Sequence, residues 1–515
     1  MRIGQNDHPC WKGVQMKEFA KLFDETIQEL GVTMYQISVR TGIDTATLSR
    51  FRQAPRERSV QTLQQILKVL PCSRQTERAL YMALFRELLE KEDGKEAWDC
   101  MQAVRDLLSI QFSTASLGGV KNPQSDLEAA PELLKGRTIV RNIVLTMLYH
   151  TVEKDMTDVC LWGNASPDLL YDITAAFHNT DTKLPHFTTL LAGDRKESGL
   201  HNLRLLKDMM PCFCANFSYD ARVSYADNMS REMDSPFECL LMTKEVALWI
   251  DKNYERAQLV RNLDVIEYYH QTFEEHYKNG ERILQRSLDI AEWQQVAHTV
   301  EAAGEECHCI NWQMCVLELL PISVLQKYMR GDQQMLMTAL SFYKSRIAMI
   351  NAKKERSEYI SLAGIQYFVK TGKILEIPEN WYDPASMEDR YFAVESLLKI
   401  IREENEREKE AGILLAGEEG VPLIQILDEH SFNIPVGMTM LASCQTASYL
   451  SYPGYDGKPV NFSFQETGIT KWMFKFLKFL PKSGWVYPLE TQVQLLEDIL
   501  QQIDWQIKND NKDVK

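Results

Sequence analysis

Residues 33–70, TMYQISVRTGIDTATLSRFRQAPRERSVQTLQQILKVL, decide how the rest of the chain is read. The stretch divides into two short helical patterns joined by a tight turn. Thr33 stands as N-cap of the first, and Ile37 points inward. Gly42 falls where that helix must stop and the backbone must take a positive φ, which a residue without a Cβ does at little cost. Ile43 plugs the turn, Asp44 or Thr45 caps the second helix, and Leu48 and Phe51 give it an inward face. Thr45, Ala46, Thr47, Ser49 and Arg50 are left on its outer, N-terminal part, where a recognition helix meets a major groove. Short Thr and Ala side chains let a helix approach base edges, and an arginine binds guanine through two hydrogen bonds. From Gly31 to Leu80 eight basic residues face three acidic ones, a local charge of +5 in a chain whose net charge is −15. Such an island is an electrostatic footprint for phosphate.

The pattern T-x-x-x-I-S-x-x-x-G-I-x-x-x-x-L-S-R-F, followed by Ser59-Val60-Gln61-Thr62-Leu63 and an apolar helix through Leu70, resembles the Cro/repressor (Xre-like) helix-turn-helix family. The resemblance runs from Val14 to Arg86. Two positions depart from the family pattern: Ser38 replaces the commoner Ala, and Ala54-Pro55 replaces the Gly that usually follows the recognition helix. The resemblance implies an all-α domain on double-stranded DNA, with Thr45, Ala46, Thr47 and Arg50 facing bases and Thr33, Ser49, Arg52, Gln53 and Arg56 near the backbone. One such module makes few contacts, so a homodimer reading two half-sites is expected. The competing reading is an ordinary helical hairpin with solvated arginines.

At 515 residues the chain has room for about three domains. Its 45% hydrophobic and 25% charged content is that of a soluble globular protein. The acidic balance beyond the first domain argues against nonspecific polyanion binding there. No apolar run approaches the roughly 18 residues that span a bilayer. MRIGQNDHPCWKG lacks the charged-then-apolar build of a signal peptide, so a cytoplasmic protein is expected. Eleven scattered cysteines fit reduced thiols rather than a disulfide framework.

The expected fold class is multidomain, mostly α with α/β: an N-terminal all-α helix-turn-helix domain, then a mixed α/β and helical effector region. Boundaries fall at 14–92 for the DNA-binding domain, 93–125 for a connecting helix and linker, 126–280 for an α/β sensor domain, 281–410 for a helical region and 411–515 for a small α+β region. Helices are expected at Lys17–Leu30, Ser73–Glu92, Ala97–Ile110 and Pro131–Val152, and SLGGVKNPQS, Ser116 to Ser125, is the clearest linker. Asp158–Trp162 reads as a strand followed by a helix, Cys212–Tyr225 as a strand pair, Phe237–Asp251 as a hairpin and Leu263–Tyr277 as a helix. Short runs at Leu423–Leu427 and Thr439–Leu441 suggest a small sheet. Helices Lys471–Leu480 and Leu489–Ile507 close the chain.

The layout of the 126–280 region is similar to the phospholipase-D-like sensor domains attached to some regulators. The catalytic His-x-Lys signature of that superfamily is absent: His178, His186, His201 and His270 are not followed by Lys two residues on. The resemblance therefore implies binding rather than hydrolysis.

Cys307-His308-Cys309 with Cys315, and Cys212 with Cys214, have zinc-ligand chemistry but lack paired C-x-x-C knuckles; buried thiols are the plainer reading. No phosphate loop, HExxH pair or GxSxG elbow occurs, so neither an enzyme nor a cofactor is expected. Trp162, Tyr219, Tyr225, Trp249, Tyr268 and Tyr269 could line a ligand pocket or simply pack. The functional expectation is a DNA-binding transcriptional regulator responding to a small-molecule, peptide or protein effector, with no membrane association. The alternatives are an adaptor in stress or phage defence whose helix-turn-helix docks a protein, and an enzyme with a DNA-binding head.

Overall fold

The computed structural model describes residues 19–54, 59–111, 125–154, 158–178, 186–193, 199–215, 217–225, 237–287, 298–300, 302–330, 352, 355–375, 381–411, 423–444, 447–453 and 459–513. In chain order the N-terminal helices are α1 (Phe19–Glu29), α2 (Met34–Thr41), α3 (Thr45–Gln53), α4 (Val60–Leu67), α5 (Arg74–Asp93) and α6 (Ala97–Leu108). Then come β1 (Leu133–Lys135), α7 (Arg137–Glu153), β2 (Asp158–Gly163), α8 (Pro167–His178), β3 (His186–Ala192), α9 (Leu200–Phe213), β4 (Tyr219–Ser224), β5 (Cys239–Met242), β6 (Ala247–Ile250), β7 (Arg256–Val260) and α10 (Leu263–Asn279). The rest comprises β8 (Glu281–Arg282), β9 (Leu284–Ser287), β10 (Glu306–Asn311), α11 (Val316–Leu319), α12 (Ile322–Tyr328), β11 (Glu355–Ser361), α13 (Leu362–Thr371), α14 (Met387–Ala411), β12 (Leu423–Leu427), β13 (Thr439–Cys444), β14 (Ala447–Pro453), β15 (Pro459–Phe464), α15 (Thr467–Phe479) and α16 (Leu489–Asp513). This is the multidomain mixture of all-α and α/β structure that the sequence pattern predicts.

Two compact units share the chain. The first takes the described residues of Met1–Gln102, Glu301–Ser443 and Phe474–Lys515, the second those of Ala103–Val300 and Cys444–Met473. In the first unit α1 to α5 close around Phe19, Phe23, Ile37, Leu48, Phe51, Leu63, Ile66, Leu80 and Leu84, all buried. Phe19, Phe23 and Phe51 meet with ring centroids 5.4 to 5.7 Å apart, so the inward faces read from the 3.6-residue period are the faces that pack. The unit also holds strands in the order β12-β11-β10-β13, parallel except for β13 against β10. Ile360, Ile424 and Ile426 on one face of these strands pack with Phe368, Leu397, Ile401, Leu496 and Ile503 of the flanking helices. Gly364 is needed there, because a Cβ would stand 1.7 Å from the Trp312 carbonyl oxygen.

The second unit is built on an eight-stranded sheet, β1-β7-β6-β5-β2-β3-β4-β8. Its central strands β2, β3 and β4 are parallel; β2 is buried almost throughout, as a strand covered on both sides must be, while β4 alternates buried Tyr219, Ala221 and Val223 with half-buried Asp220, Arg222 and Ser224. Thr243-Lys244-Glu245 turns β5 into β6, where the hairpin was expected.

One arrangement occurs twice along the chain. In the second unit β4-β3-β2-β5 run parallel, parallel, antiparallel, and in the first unit β12-β11-β10-β13 repeat that order and those directions. Within the second unit the antiparallel set β6-β7-β1 recurs as β14-β15-β9. Helices follow the second, third and seventh strand of each set. The third residue pairs of β2/β3 and β10/β11, Cys160 with Thr188 and His308 with Ser357, therefore hold equivalent places.

Three expectations need correction. Among the described residues of 281–410, strands β8, β9, β10 and β11 lie beside the helices, so the region is mixed rather than purely helical. Cys212–Tyr225 is not a strand pair: α9 runs through Pro211 to Phe213, and a single strand, β4, follows. The Pro131–Val152 helix starts only at Arg137, after β1. The linker at 116–124 lies outside the described residues. Among the described residues no helix is long and apolar enough to cross a membrane.

Candidate nucleic-acid interface and a buried polar cluster

Local hydrogen bonds explain why residues 33–54 fold as two helices and a turn. The Thr33 hydroxyl accepts from Gln36 N–H at 3.2 Å while the Gln36 side-chain oxygen accepts from Thr33 N–H at 2.9 Å, a reciprocal capping box. Gly42, at φ 76°, ends α2 and donates its N–H to the Ser38 carbonyl at 2.9 Å. Asp44 caps α3, accepting from Thr47 N–H at 2.8 Å and from the Thr47 hydroxyl at 2.7 Å. These two bonds hold the Asp44 carboxyl below its ordinary range. Ala54 leaves α3 in an extended conformation, φ −108° and ψ 102°, which suits a residue before proline and needs no glycine.

The expected base-reading residues share one surface. Thr45, Ala46 and Arg50 are exposed, and Thr47 is half-buried. Arg50 donates to the Thr47 hydroxyl at 3.1 Å, so Asp44, Thr47 and Arg50 form a chain that aims the guanidinium along the helix face. Ser49 and Gln53 are exposed, and Thr33 is exposed with its hydroxyl engaged in the capping box. Arg52 turns toward α1 and donates to Asp24 at 2.9 Å. Arg56 lies outside the described residues. On α2, Tyr35 and Val39 are 71% and 67% exposed, one turn apart on the same face.

A second cluster was not foreseen. β10 and β11 run parallel with Glu306 opposite Glu355 and His308 opposite Ser357, and the strand pleat puts all four on one face. His308, 1% exposed, bonds through Nδ1 to the Ser357 hydroxyl at 2.6 Å, and its Nε2 lies 3.4 Å from a Glu306 carboxylate oxygen. Lys478 at the end of α15 reaches Glu306 at 2.7 Å and Glu355 at 3.6 Å. The His308 and Lys478 hydrogen bonds hold the Glu306 carboxyl down at about 2. Phe474 covers the imidazole with ring centroids 5.3 Å apart. The opposite face carries another ionic group: Arg356 pairs with Glu318 and lies 3.6 Å from Glu358, which accepts from Asn311 at 2.9 Å. The signal for both was period-two spacing, Glu306-x-His308 and Glu355-x-Ser357 against Arg356-x-Glu358.

The pleat also corrects the grouping of Cys307, His308 and Cys309, because the two thiols face away from the imidazole. Cys307 and Cys309 are buried and Cys315 is half-buried. Burial pushes the Cys309 thiol well above its ordinary range and the Cys212 thiol up to about 12, away from the thiolate a metal or an oxidant needs. The equivalent of the His308 pair in the other strand set is Cys160, which accepts from the Thr188 hydroxyl at 3.3 Å and lies 4.0 Å from His270 Nδ1. Burial pushes this thiol up to about 11.

The six aromatics do not form one lining. Trp162, Trp249 and Tyr269 pack on the α10 side of the eight-stranded sheet. Tyr219 stacks on Phe187 and meets Phe213 edge to face elsewhere, the Tyr225 hydroxyl donates to Glu466 at 3.2 Å, and Tyr268 is 64% exposed.

No family model matches the sequence, and no curated protein matches it. Among solved structures, a polyphosphate kinase from Porphyromonas gingivalis is similar at 10% identity, over 69% of this chain and 53% of its own, with a TM-score of 0.21. The chain thus spans about half the length of that kinase. TrmBL2, an archaeal chromatin protein with a novel mode of DNA binding, is similar at 10% identity over 46% of this chain and 99% of its own, with a TM-score of 0.19. At these TM-scores neither similarity carries an argument about this chain.

Proposed function

We propose that the chain is a sequence-specific DNA-binding transcriptional regulator of the Cro/repressor (Xre-like) type, acting as a homodimer, with the α/β units responding to an effector. The observation that carries this reading is the outer face of α3, where Thr45, Ala46 and Arg50 stand exposed beside a doubly bonded Asp44 cap. Residues of this kind at a helix N-terminus suit entry into a major groove, with Arg50 matched to guanine. Fluorescence anisotropy of the full-length chain on labelled duplexes tests it. Binding should weaken steeply with salt, since phosphate contacts release counterions, and one sequence should be favoured by at least a hundredfold. Salt-independent or absent binding would refute the reading.

Exposed Tyr35 and Val39 on α2 favour a second reading, an adaptor whose helix-turn-helix docks a protein. It predicts no duplex preference and a partner lost on Tyr35→Ser with Val39→Ser.

A further inference from the structure

We propose that Glu306, His308 and Glu355 form a divalent-cation site of the zinc class, for which Lys478 is the resident counter-ion. One atom from each of the three side chains, two carboxylate oxygens and an imidazole nitrogen, lies within 4.8 Å of the others. Ligands around zinc sit about 2.0–2.2 Å from the ion, hence about 3–3.5 Å from one another, so small side-chain rotations complete the shell. The remaining nitrogen of His308 is held by Ser357 at 2.6 Å, the outer hydrogen bond that orients a metal-binding imidazole. Phe474 fixes the ring from above.

Charge supports the exchange. Two carboxylates, Glu306 and Glu355, face the one ammonium of Lys478, and a dication matches the charge of both carboxylates. The Lys478 side chain is 36% exposed at the end of α15, so its flexible stem can release the ammonium to solvent. Entry of the ion thus replaces one cation by another on the same carboxylates and leaves the strands in place. The cysteines of β10 take no part, since they occupy the opposite face.

The full-length chain, stripped with a chelator, is titrated calorimetrically with Zn²⁺ and spectroscopically with Co²⁺. One ion should bind per chain. Lys478→Met should tighten binding at least tenfold, while His308→Gln and Glu355→Gln should each weaken it at least thirtyfold. Co²⁺ should give d–d bands without a thiolate charge-transfer band. Absence of binding by the unmodified chain up to millimolar Zn²⁺ would overturn the proposal, as would affinity unchanged in His308→Gln and Glu355→Gln or a thiolate band with Co²⁺. The two glutamine variants keep the test decisive if Lys478→Met does not fold.

Discussion

Arg78 on α5 and Asp428, just past β12, form an ion pair largely shielded from water, with side-chain exposures of 19% and 9%. α5 therefore serves two cores. Its one face closes the helix-turn-helix through Leu80 and Leu84, while Phe85 meets Trp485 and Phe479 at 6.4 and 6.2 Å and Asp93 pairs with Lys475. The helix-turn-helix is thus joined by packing and charge to Asp428 after β12 and to the α15 segment and Trp485; under the proposed function this contact is the route by which an effector would act on α3.

Asp428→Asn should destabilise the first unit by about 3 kcal/mol, because it leaves the Arg78 charge shielded and unpaired. Urea unfolding of the full chain reads this as a lower midpoint. Arg78→Met combined with Asp428→Asn should recover part of the loss.

In the second unit, Arg141 makes two-pronged hydrogen bonds of 2.8 to 3.0 Å to Asp172, which also accepts from the buried Tyr254 hydroxyl at 3.2 Å. Asp172→Ala should cost about 3 kcal/mol and Tyr254→Phe about 1 kcal/mol in thermal unfolding. Equal losses would show that the pair with Arg141 adds nothing beyond the hydroxyl bond.

The Glu306 carboxyl is held at about 2, below its model-peptide value of 4.5. A depressed carboxyl stabilises the folded state fully above pH 4.5 and loses that contribution as pH falls toward 2. The chain should lose stability across this window, and Glu306→Gln should flatten that part of the profile while lowering stability at pH 7. An unchanged profile would contradict the Lys478 and His308 contacts.

What the sequence revealed depended on whether short-range rules were enough. Thr33 with Gln36, Gly42, and Asp44 with Thr47 are bonds three or four residues long, so their pattern was visible before any tertiary contact was known. β10 and β11 obey a different rule. ERSEYIS carries Arg356 and Glu358 in the interior of a covered sheet, and such charges imitate a solvated helix until their partners Glu318 and Asn311 are placed beside them. His308 was read along the chain with Cys307 and Cys309, whereas the pleat separates neighbours and joins it to Ser357 on another strand. α9 absorbs Pro211 near its C-terminal end and so runs on into the start of the segment expected to be strand. The repeat of strand order left no trace in residue identity, because β2 and β10 share directions and neighbours rather than side chains.

Asp44→Ala should remove the α3 cap, lowering the melting midpoint, and free Thr47 and Arg50 from their chain of bonds. Its DNA affinity should fall more than its stability alone explains, since the loosened Arg50 must be ordered again on binding. Circular dichroism melts and anisotropy on the same samples separate the two effects.

The most direct test of the central claim is selection of binding sites by the full-length chain from a random duplex library, repeated with Arg50→Ala. The account predicts a short enriched motif arranged as an inverted repeat, with one guanine position relaxed by Arg50→Ala, a loss of about 1–3 kcal/mol at that base pair. No enrichment by the folded, unmodified chain, or a motif indifferent to Arg50→Ala, would contradict it.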